Sequence, residues 1–270
     1  MSHLYQVTTF KAHQLQKLRN VTIHSPSLIQ IVSGSKRLFL NQDNVDLAPS
    51  TLLLCEASSR FSFENLPGKG TFLSRVFSFH LPASESLIEL SQQNARTPDK
   101  FWVSKDKAIE QTLNVLHSLN LDLMSVETQR LWLAPLYQQL AERGALHHLF
   151  TSEKSSFTQQ LSHYLARSPN EAHPLEETAR HFSISRATFI RRLKKEGTQY
   201  RDVLTEVRLN HALNLMQTRA WSVLQLAYMC GYQSEQRFSQ RFRSKFGLTP
   251  GDYMQTIEIS SSETVKAREH

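Results

Sequence analysis

The 270-residue sequence predicts an α+β protein in which a small antiparallel β-barrel or jelly roll with flanking helices precedes an all-helical domain. Three observations lead to this prediction. Short apolar runs separated by turn signals follow one another between residues 21 and 80, and from about Ser84 the apolar residues recur with a helical period. A pattern of two helices then occurs twice, about 49 residues apart. We expect a first domain over residues 1–150, a linker over 151–156, a second domain over 157–256 and a disordered tail over 257–270.

The composition excludes several classes of protein. Hydrophobic residues make up 40% of the chain, which is enough to bury sizeable cores. No uncharged apolar stretch approaches the roughly 20 residues of a membrane helix, and the first residues lack the pattern of a signal peptide. We therefore expect a soluble, cytoplasmic protein that does not bind membranes. The two cysteines, Cys55 and Cys230, are far apart, which excludes a disulfide scaffold and a cysteine-rich zinc site.

The charged residues are unevenly distributed. The chain has 31 Lys and Arg against 24 Asp and Glu, a formal net charge of +7. Residues 186–195 carry five positive charges and no negative one, and residues 237–245 carry four and none. One such run is typically a solvated helix face, but two in matching contexts favour a surface that binds nucleic acid.

The first half has the pattern of short strands. Residues 28–32 form a β-branched apolar run that ends at a Ser-Gly-Ser turn signal, and residues 60–64 alternate strictly between polar and apolar side chains. Residues 72–80 continue the strand pattern and place Phe77 and Phe79 on one face. Many short strands joined by turns are typical of a small antiparallel barrel or sandwich.

Three helices follow the strands, and the third is expected to begin near Ser125. Their apolar residues recur at helical spacing, first at Leu87, Ile88 and Leu90, then at Ile109, Leu113, Leu116 and Leu119, and finally at Leu131, Leu133, Leu136, Tyr137 and Leu140. The helices could cover the barrel of their own chain. Those of residues 104–147 could instead pair with a second copy in a homodimer, and the sequence leaves both interpretations open.

The first half carries no recognisable catalytic or metal-binding motif. Its strands offer His24 and His80 without an HxH pair, and no GxSxG, HExxH, GxGxxG or P-loop pattern occurs in the chain. We therefore expect no enzyme activity, no metal and no cofactor. A barrel interior can hold a small molecule or be filled by side chains. Lys36 and Arg37, beside the expected mouth of the barrel, could bind a carboxylate or be ordinary surface residues.

The strongest signal is an internal repeat of helix-turn-helix units. Each unit has a short helix with an alanine, a turn, and a second helix with apolar residues at i and i+4 whose other face is basic and polar. The recurring positions are Ala179, Ser185, Phe189 and Leu193 in the first unit and Ala227, Ser234, Phe238 and Phe242 in the second. The alanine lets the two helices cross closely, and the apolar pair docks the recognition helix. We therefore expect these core positions: Phe189, Leu193, Phe238, Phe242 and Phe246.

Boundary signals agree with the repeat. Pro174 suits the first turn of the first leading helix, Ser222 and Gln225 form a capping box, and Gly231 suits the end of the second leading helix. Residues 200–217 lack Pro and Gly and predict a long connecting helix with an apolar stripe at Leu204, Val207, His211 and Leu215. A helix of roughly 18 residues spans about 27 Å, which is close to the roughly 34 Å between successive major-groove faces. One chain could therefore place both recognition helices in adjacent grooves.

Residues 157–254 resemble the AraC/XylS family of transcription regulators. The matching positions are Leu175, Ala179, Ile184, Ser185, Phe189, Leu193 and Lys194 in the first unit, Arg208, Ala212 and Leu215 in the connecting helix, and Ala227, Gly231, Tyr232, Arg237, Phe238, Ser239, Phe242, Arg243, Phe246, Gly247, Leu248, Thr249, Pro250 and Tyr253 in the second unit. The first half is similar to the family's cupin-like barrel plus helices only in architecture and order. The resemblance implies a sequence-specific regulator, more often an activator, with double-stranded promoter DNA and RNA polymerase as partners. The overall size also resembles the family's regulators of virulence and secretion genes.

The resemblance implies contacts to bases and phosphates from each recognition helix. The base-reading positions would be Arg186, Ala187, Ile190 and Arg191 in the first unit and Glu235, Gln236 and Gln240 in the second. The phosphate contacts would come from Ser185, Lys194, Ser234, Arg237, Arg241 and Arg243. Arg pairs with guanine, Gln with adenine, and Glu accepts from cytosine. Ala187 and Ile190 offer only apolar contact, which departs from family members with polar residues there and predicts loose reading by the first unit.

The sequence leaves the role of the first half open. It could bind a small molecule such as a fatty acid or another carboxylate, it could bind a regulatory protein, or activity could follow the expression level with no effector. An enzyme fused to a DNA-binding module would need a nucleophilic cysteine in a helix-bounded site. Cys55 lies in a strand run and Cys230 belongs to the helix-turn-helix packing. A purely architectural DNA binder would not need the first 150 residues.

Overall fold

The computed structural model describes residues 3–40, 44–95, 101–150 and 156–258. The strands of the first half are β1 (Tyr5–Ala12), β2 (Gln16–Thr22), β3 (Ser27–Ser33), β4 (Ser35–Phe39), β5 (Asn44–Leu47), β6 (Thr51–Cys55), β7 (Arg60–Leu66), β8 (Phe72–Phe79) and β9 (Trp102–Ser104). They form a five-stranded sheet in the order β1-β8-β3-β6-β9 and a four-stranded sheet in the order β2-β7-β4-β5. The recorded pairs are antiparallel, and the inner faces of both sheets line one cavity. The predicted α+β fold with a small barrel or jelly roll is confirmed.

Strand β1 and most of β2 lie before residue 21, where the sequence pattern predicted no strands. Strand β1 pairs with β8 from Tyr5 opposite Phe79 to Ala12 opposite Phe72. One face of β1 meets helices and the other lines the cavity, so its side chains do not alternate between exposed and buried. Strand β2 is interrupted after Leu18 by a register shift, within which Asn20 has φ 51°. Both features hide the period of two on which the prediction depends.

Three helices cover the outer face of the five-stranded sheet. They are α1 (Glu85–Gln93), α2 (Lys107–Ser118) and α3 (Val126–Glu142). Leu113 of α2 and Leu136 of α3 are buried against Leu28 and Phe77 of the sheet. Ser125 caps α3, as predicted, but Leu131 is 73% exposed and does not belong to the buried stripe. The helices thus pack on the barrel of their own chain, and a homodimer stays a prediction.

The second half is helical. It contains α4 (Phe157–Leu165), α5 (Leu175–His181), α6 (Arg186–Lys195), α7 (Tyr200–Met216), α8 (Val223–Met229), α9 (Glu235–Phe246) and α10 (Pro250–Ile257). The capping box of Ser222 and Gln225 is present, and Gly231 follows the end of α8 with φ +72°. Pro174 occupies the N-cap position of α5. The predicted order of two helix-turn-helix units, α5–α6 and α8–α9, joined by the long helix α7 is therefore confirmed.

The apolar stripe predicted for α7 is partly wrong. Of its four predicted positions only Val207 is buried, whereas Leu204, His211 and Leu215 are half-buried. The buried residues of α7 are Val203, Val207, Leu209, Ala212, Leu213 and Met216. They occupy more than one face because α7 packs against both units and against β2. A helix buried on several sides has no single stripe for a sequence pattern to detect.

The two helix-turn-helix units have separate cores. Phe189 and Leu193 of the first unit pack with Phe157 of α4 and Val203 of α7. The core of the second unit centres on Phe238, Phe242, Phe246 and Tyr253, and it also contains Leu18 of β2. Among the described residues, the first core is built from helical-half side chains, whereas the second is shared with the barrel.

Parts of two domain predictions lie outside the described residues. The linker was predicted over 151–156 and the disordered tail over 257–270, and the structure does not describe residues 151–155 or 259–270. Helix α10 continues to Ile257, one residue beyond the predicted end of the second domain. No helix in the described ranges is long and apolar enough to cross a membrane.

Candidate nucleic-acid interface and ligand cavity

The first recognition helix, α6, presents a polar face away from its core. Phe189 and Leu193 are buried, while the positions predicted to face DNA are exposed: Arg186, Ala187, Ile190, Arg191 and Lys194. The Ser185 side chain accepts a hydrogen bond from the Thr188 amide at 3.2 Å and so caps the helix. An exposed ion pair joins Arg186 Nη1 to Glu176 Oε1 of α5 at 3.0 Å. The helix thus offers arginine side chains beside a small apolar patch formed by Ala187 and Ile190.

The second recognition helix, α9, has the same arrangement. Phe238, Phe242 and Phe246 are buried, and the other predicted positions are exposed: Glu235, Gln236, Arg237, Gln240, Arg241 and Arg243. The half-buried Ser234 accepts from the Arg237 amide at 3.3 Å and caps α9. The packing predicted for both helices is present, and the individual contacts to bases and phosphates stay predictions.

Lys245 departs from the rest of the positive run at residues 237–245. It points toward the barrel, where its ammonium donates to Glu206 Oε1 of α7 and its side chain is 14% exposed. This lysine is therefore not part of the exposed face of α9. The run of four positive charges contributes only Arg237, Arg241 and Arg243 to that face.

Arg208 of α7 joins the two helix-turn-helix units, a role that could not be predicted from the sequence pattern. Its guanidinium donates to the carbonyls of Pro169 at 3.0 Å and Glu171 at 2.8 Å, before α5. A Cβ at Gly231 would lie 2.7 Å from Arg208 Nη2. Gly231 therefore serves both the left-handed turn after α8 and the close approach of Arg208. Arg208 therefore connects the segment just before the first unit with the turn of the second unit.

A polar cluster attaches the barrel to the helical half. Glu206 Oε1 accepts from Thr22 Oγ1 of β2, from Lys245 Nζ of α9 and, at 3.3 Å, from Arg60 Nη2 of β7. Burial opposes ionisation of Glu206, but the hydrogen bonds from Lys245 and Thr22 and the neighbouring positive charges hold its pKa below the usual value. His24 lies beside this cluster, where its Nε2 is 2.6 Å from Asn210 Nδ2 of α7. Burial lowers the pKa of His24 to about 4, so it is neutral at physiological pH.

Replacing Glu206 with Gln is expected to destabilise the chain. The substitution keeps the size of the side chain but leaves Lys245 buried without a counter-charge, which should cost about 2–3 kcal/mol of unfolding free energy. Urea unfolding followed by circular dichroism measures the change. Asp46→Asn is the matched control, because Asp46 forms its ion pair with Arg37 in an exposed position. An equal shift for the two variants would contradict the role given to Glu206.

A cavity of about 230 Å³ lies between the two sheets and the helical half. Its larger wall is apolar and includes Leu18, Phe61, Phe63 and Leu38. Hydroxyl-bearing side chains of the five-stranded sheet line the other side: Thr8, Ser27, Ser74 and Ser78. The helical half contributes Ala166, Asn210, Leu213, Asn214 and Tyr253. The cavity is larger than the ~150 Å³ apolar cavity that holds benzene in an engineered protein, and it is bounded by both halves of the chain.

Lys36 lies inside this cavity. It is 4% exposed, its Nζ donates to Asn65 Oδ1 at 2.5 Å, and the same atom lies 3.5 Å from the centre of the Phe63 ring. Burial lowers the pKa of Lys36 to about 7. The recorded ion pairs give it no carboxylate partner among the described residues. An anionic group that entered the cavity would therefore meet a lysine whose charge is not already compensated.

The structure separates Lys36 from Arg37, the two residues that the sequence offered for a carboxylate site or for ordinary surface positions. Arg37 does not line the cavity, and its guanidinium binds Asp46 of β5 at 2.7 Å and 3.0 Å on the outer face of the sheet. Successive side chains of a strand point to opposite faces, so only one of two neighbours can enter a barrel. The candidate ligand site therefore keeps Lys36 and loses Arg37.

Histidine, acidic and cysteine side chains do not gather into a cluster in the described residues. In those ranges no group of three or more His, Cys, Asp or Glu side chains could hold a metal ion. Cys55 and Cys230 are both buried, and burial raises the pKa of the Cys230 thiol to about 12 and that of Cys55 further. Such thiols stay protonated, which makes them poor nucleophiles.

The comparisons with known proteins agree with these features. A helix-turn-helix domain family matches residues 178–256. The urease operon transcriptional activator of Escherichia coli is 30% identical over 95 residues, which are 35% of this chain and 32% of that protein. The transcriptional regulator GadX of Escherichia coli K12 is 34% identical over 81 residues, or 30% of either chain. The chain thus matches about a third of the length of these curated relatives. Residues 178–256 form a helix-turn-helix domain of the AraC type, and the resemblance seen in the sequence is confirmed.

Solved structures extend the likeness to the whole chain. ToxT of Vibrio cholerae has a TM-score of 0.60 at 15% identity, and the match covers 96% of this chain and all of that one. A structure of ToxT with a bound unsaturated fatty acid has a TM-score of 0.58 at 14% identity, covering 94% of this chain and 95% of that one. At this level of identity the likeness establishes a shared fold of barrel and helical halves.

Proposed function

We propose that this chain is a sequence-specific DNA-binding regulator of transcription that inserts α6 and α9 into successive major-groove faces. The observation that carries the proposal is the pair of exposed polar faces, one on each capped recognition helix, joined by α7. Helix α7 has 17 residues and spans about 26 Å at 1.5 Å per residue. The printed names of the curated relatives, a transcriptional activator and a transcriptional regulator, support the same role.

Within this proposal each exposed position has a chemical role. Arg186 and Arg191 would read guanine, Gln236 and Gln240 adenine, and Glu235 cytosine. Ala187 and Ile190 would contact thymine methyl groups. The phosphate contacts would come from Ser185, Lys194, Ser234, Arg237, Arg241 and Arg243, which set register and affinity. Ser185 and Ser234 cap the N-termini of α6 and α9. Because a helix N-terminus attracts anions, these two ends would also face phosphates.

Replacing Arg191 with Ala is expected to weaken binding to the preferred duplex by about 1–3 kcal/mol and to relax the preference at one base pair. The matched control is Arg192→Ala, which removes the same charge one residue further on. The Arg192 guanidinium lies over the Phe157 ring, 5.4 Å from its centre, and so points away from the groove-facing side. Fluorescence anisotropy with preferred and random duplexes measures both effects. Equal weakening of Arg191→Ala on the two duplexes would make Arg191 a phosphate contact.

We further propose that the cavity binds a small molecule with an apolar body and a carboxylate, and that this ligand tunes DNA binding. The support is the apolar wall of the cavity together with the buried, uncompensated Lys36. ToxT, which shares the fold, has been solved with an unsaturated fatty acid and with (E)-4-(8-methylnaphthalen-1-yl)but-3-enoic acid. Mass spectrometry of an organic extract of the purified full chain tests the proposal. A stoichiometric carboxylic acid, lost in Lys36→Met, is the expected result.

A protein effector is the second candidate for the first half. Leu123, just before α3, is 83% exposed, and Leu131 of α3 is 73% exposed. Exposed leucines of this kind favour a contact with another protein or with a second copy of this chain. An empty extract together with no binding of added carboxylates would favour this candidate, or control by expression level. Activation, and RNA polymerase as the partner at the promoter, remain proposals drawn from the resemblance.

A further inference from the structure

A chain of hydrogen bonds joins Lys36 in the cavity to the last helix of the DNA-binding half. Lys36 Nζ donates to Asn65 Oδ1 at 2.5 Å, and Asn65 Nδ2 donates to Gln16 Oε1 at 2.8 Å. Gln16 Nε2 then donates to Thr256 Oγ1 at 2.7 Å, and Thr256 Oγ1 donates to the Tyr253 carbonyl at 2.6 Å. The step from Gln16 to Thr256 crosses from β2 of the barrel to α10.

Every bond in this chain runs in the same direction. Lys36 donates at one end and the Tyr253 carbonyl accepts at the other. Each of the three side chains between them accepts from the residue before it and donates to the residue after it. Aligned hydrogen bonds of this kind polarise one another, so a stronger donor at one end strengthens the bonds that follow. A change in the donor strength of Lys36 would therefore reach α10 without direct contact between them.

The members of the chain are shielded from water. Lys36, Asn65, Gln16 and Thr256 are 4%, 3%, 1% and 8% exposed. A buried donor or acceptor that loses its partner cannot be rescued by solvent, so a broken link carries the full cost of desolvation. Apolar side chains of similar size could fill these positions at little cost in stability. An unbroken line of hydrogen-bonded polar groups from Lys36 to α10 therefore suggests that a change at the lysine is passed on to the helix.

The chain ends where the barrel holds the second helix-turn-helix unit. The Thr256 carbonyl accepts from the His13 amide at 2.7 Å, in the turn between β1 and β2. The buried ring of Tyr253 lies edge-on to Phe242 of α9, with centroids 6.2 Å apart. The Tyr253 hydroxyl accepts from Gln217 Nε2 at 2.8 Å, and the Gln217 side chain in turn bonds the Lys11 backbone of β1. Loosening of α10 would thus reach the recognition helix α9.

We propose that Asn65, Gln16 and Thr256 transmit the state of Lys36 to α10 and so set how firmly the barrel holds the second helix-turn-helix unit. This inference rests on the proposed ligand only for its physiological trigger. A carboxylate beside Lys36 keeps the amine protonated, which makes it a stronger donor to Asn65. The ligand would then strengthen the chain and hold α9 against the barrel. An empty cavity leaves the lysine partly neutral and the chain weaker.

Hydrogen exchange of the full chain, read by mass spectrometry on the peptide that covers α10, tests the proposal without any ligand. We expect Gln16→Leu to speed the exchange of α10 at least tenfold and Lys36→Met at least threefold, although Lys36 lies three hydrogen bonds from α10. Asn65→Asp is a nearly isosteric second variant. It can still pair with Lys36 but cannot donate to Gln16, so it should behave like Gln16→Leu.

Gln30→Leu is the matched control. Gln30 is a barrel glutamine in β3 that is 2% exposed, and it lies outside the chain that leads to α10. Its α10 exchange should equal that of the wild type, and the peptide covering α2 should exchange alike in all variants. Wild-type α10 exchange in Lys36→Met would overturn the proposal. Equal acceleration by Gln30→Leu would also overturn it, because the effect would then be general loosening.

Oleate separates this inference from the proposed ligand. If oleate binds the wild type, it should slow α10 exchange more there than in Gln16→Leu, where only its contact with Tyr253 of the cavity wall remains, and calorimetry should show binding to both proteins. Equal slowing of α10 in the two proteins would contradict transmission through this chain. If neither oleate nor another carboxylate binds the wild type, the ligand proposal fails. The expected difference between Lys36→Met and Gln30→Leu in the ligand-free protein would still support transmission.

Discussion

Replacing Lys36 with Met is expected to weaken carboxylate binding at least a hundredfold. A carboxylate in the cavity would lose the one lysine or arginine among the described lining residues and remain buried without compensation, which costs about 3–5 kcal/mol in proteins. Isothermal titration with oleate measures the affinity. Arg37→Met is the control, because Arg37 has the same charge one residue away but lies outside the cavity. Equal loss in both variants would mean that the binding reflects general charge and not the cavity.

The same pairing predicts how the affinity depends on pH. Burial lowers the pKa of Lys36 to about 7 in the free protein, and a bound carboxylate raises it because the anion favours the ammonium form. Above pH 7 the free lysine is largely neutral, so binding must take up a proton. The affinity of the wild type should fall by about tenfold per pH unit between about 8 and 9.5. A pH-independent affinity in that range would contradict an ion pair with Lys36.

Replacing Phe242 with Ala is expected to cost about 3–5 kcal/mol and to affect both halves of the chain. Phe242 is fully buried in a cluster that contains Leu18 of β2, and Phe10 and Phe63 of the barrel pack against that cluster. The cavity left by the ring would therefore loosen the second helix-turn-helix unit and the barrel together. Hydrogen exchange resolved by peptide should show faster exchange in β2 as well as in α8–α10.

Phe189→Ala provides the matched comparison for this prediction. Phe189 is equally buried, but the described members of its cluster come from the helical half. Its loss should speed exchange in α4–α6 and leave β2 at the wild-type rate. Faster exchange of β2 in both variants, or in neither, would contradict the division seen in the described residues, where the second unit shares its core with the barrel and the first does not.

Features with a local pattern could be predicted from the sequence. The i, i+4 spacing of Phe189 with Leu193 and of Phe238 with Phe242 identified the buried faces of both recognition helices. Caps such as Ser125 and Ser222 were equally visible, because a cap depends on residues within one turn. Strands β1 and β2 could not be predicted from a local pattern. Both faces of β1 are covered, and the irregularity at Asn20 interrupts β2, so neither strand alternates between exposed and buried side chains.

The candidate ligand site could be predicted only in part. The pattern singled out Lys36 and Arg37 together, whereas the alternation of the strand sends them to opposite faces. Which of two neighbouring side chains faces the inside of a barrel could not be predicted from their local pattern. The partners of Lys36 could not be found at all. Gln16 and Thr256 are 240 positions apart in the chain and meet only because β2 packs against α10.

The attachment of the barrel to the helical half depends on the same kind of contact. Glu206, Lys245 and Thr22 come from three elements that no short motif connects. Lys245 even belongs to a positive run that suggested DNA binding. Its actual direction follows from its place on the buried side of α9, beside Phe246. A run of positive residues predicts an exposed positive surface. A single member of the run can still turn inward and pair with a buried carboxylate, as Lys245 does with Glu206.

Selection of preferred sequences from a pool of random DNA duplexes by the full-length chain tests the central claim most directly. We predict two enriched elements with centres about 10–10.5 base pairs apart. Arg191→Ala should relax the preference at one base pair of one element, and Gln240→Ala at one base pair of the other. Binding to the selected duplex should also weaken steeply with salt, with a log–log slope near −0.9 for each phosphate neutralised. Enrichment of a single element that is insensitive to changes in α9, or no enrichment over random duplexes, would contradict reading by two recognition helices.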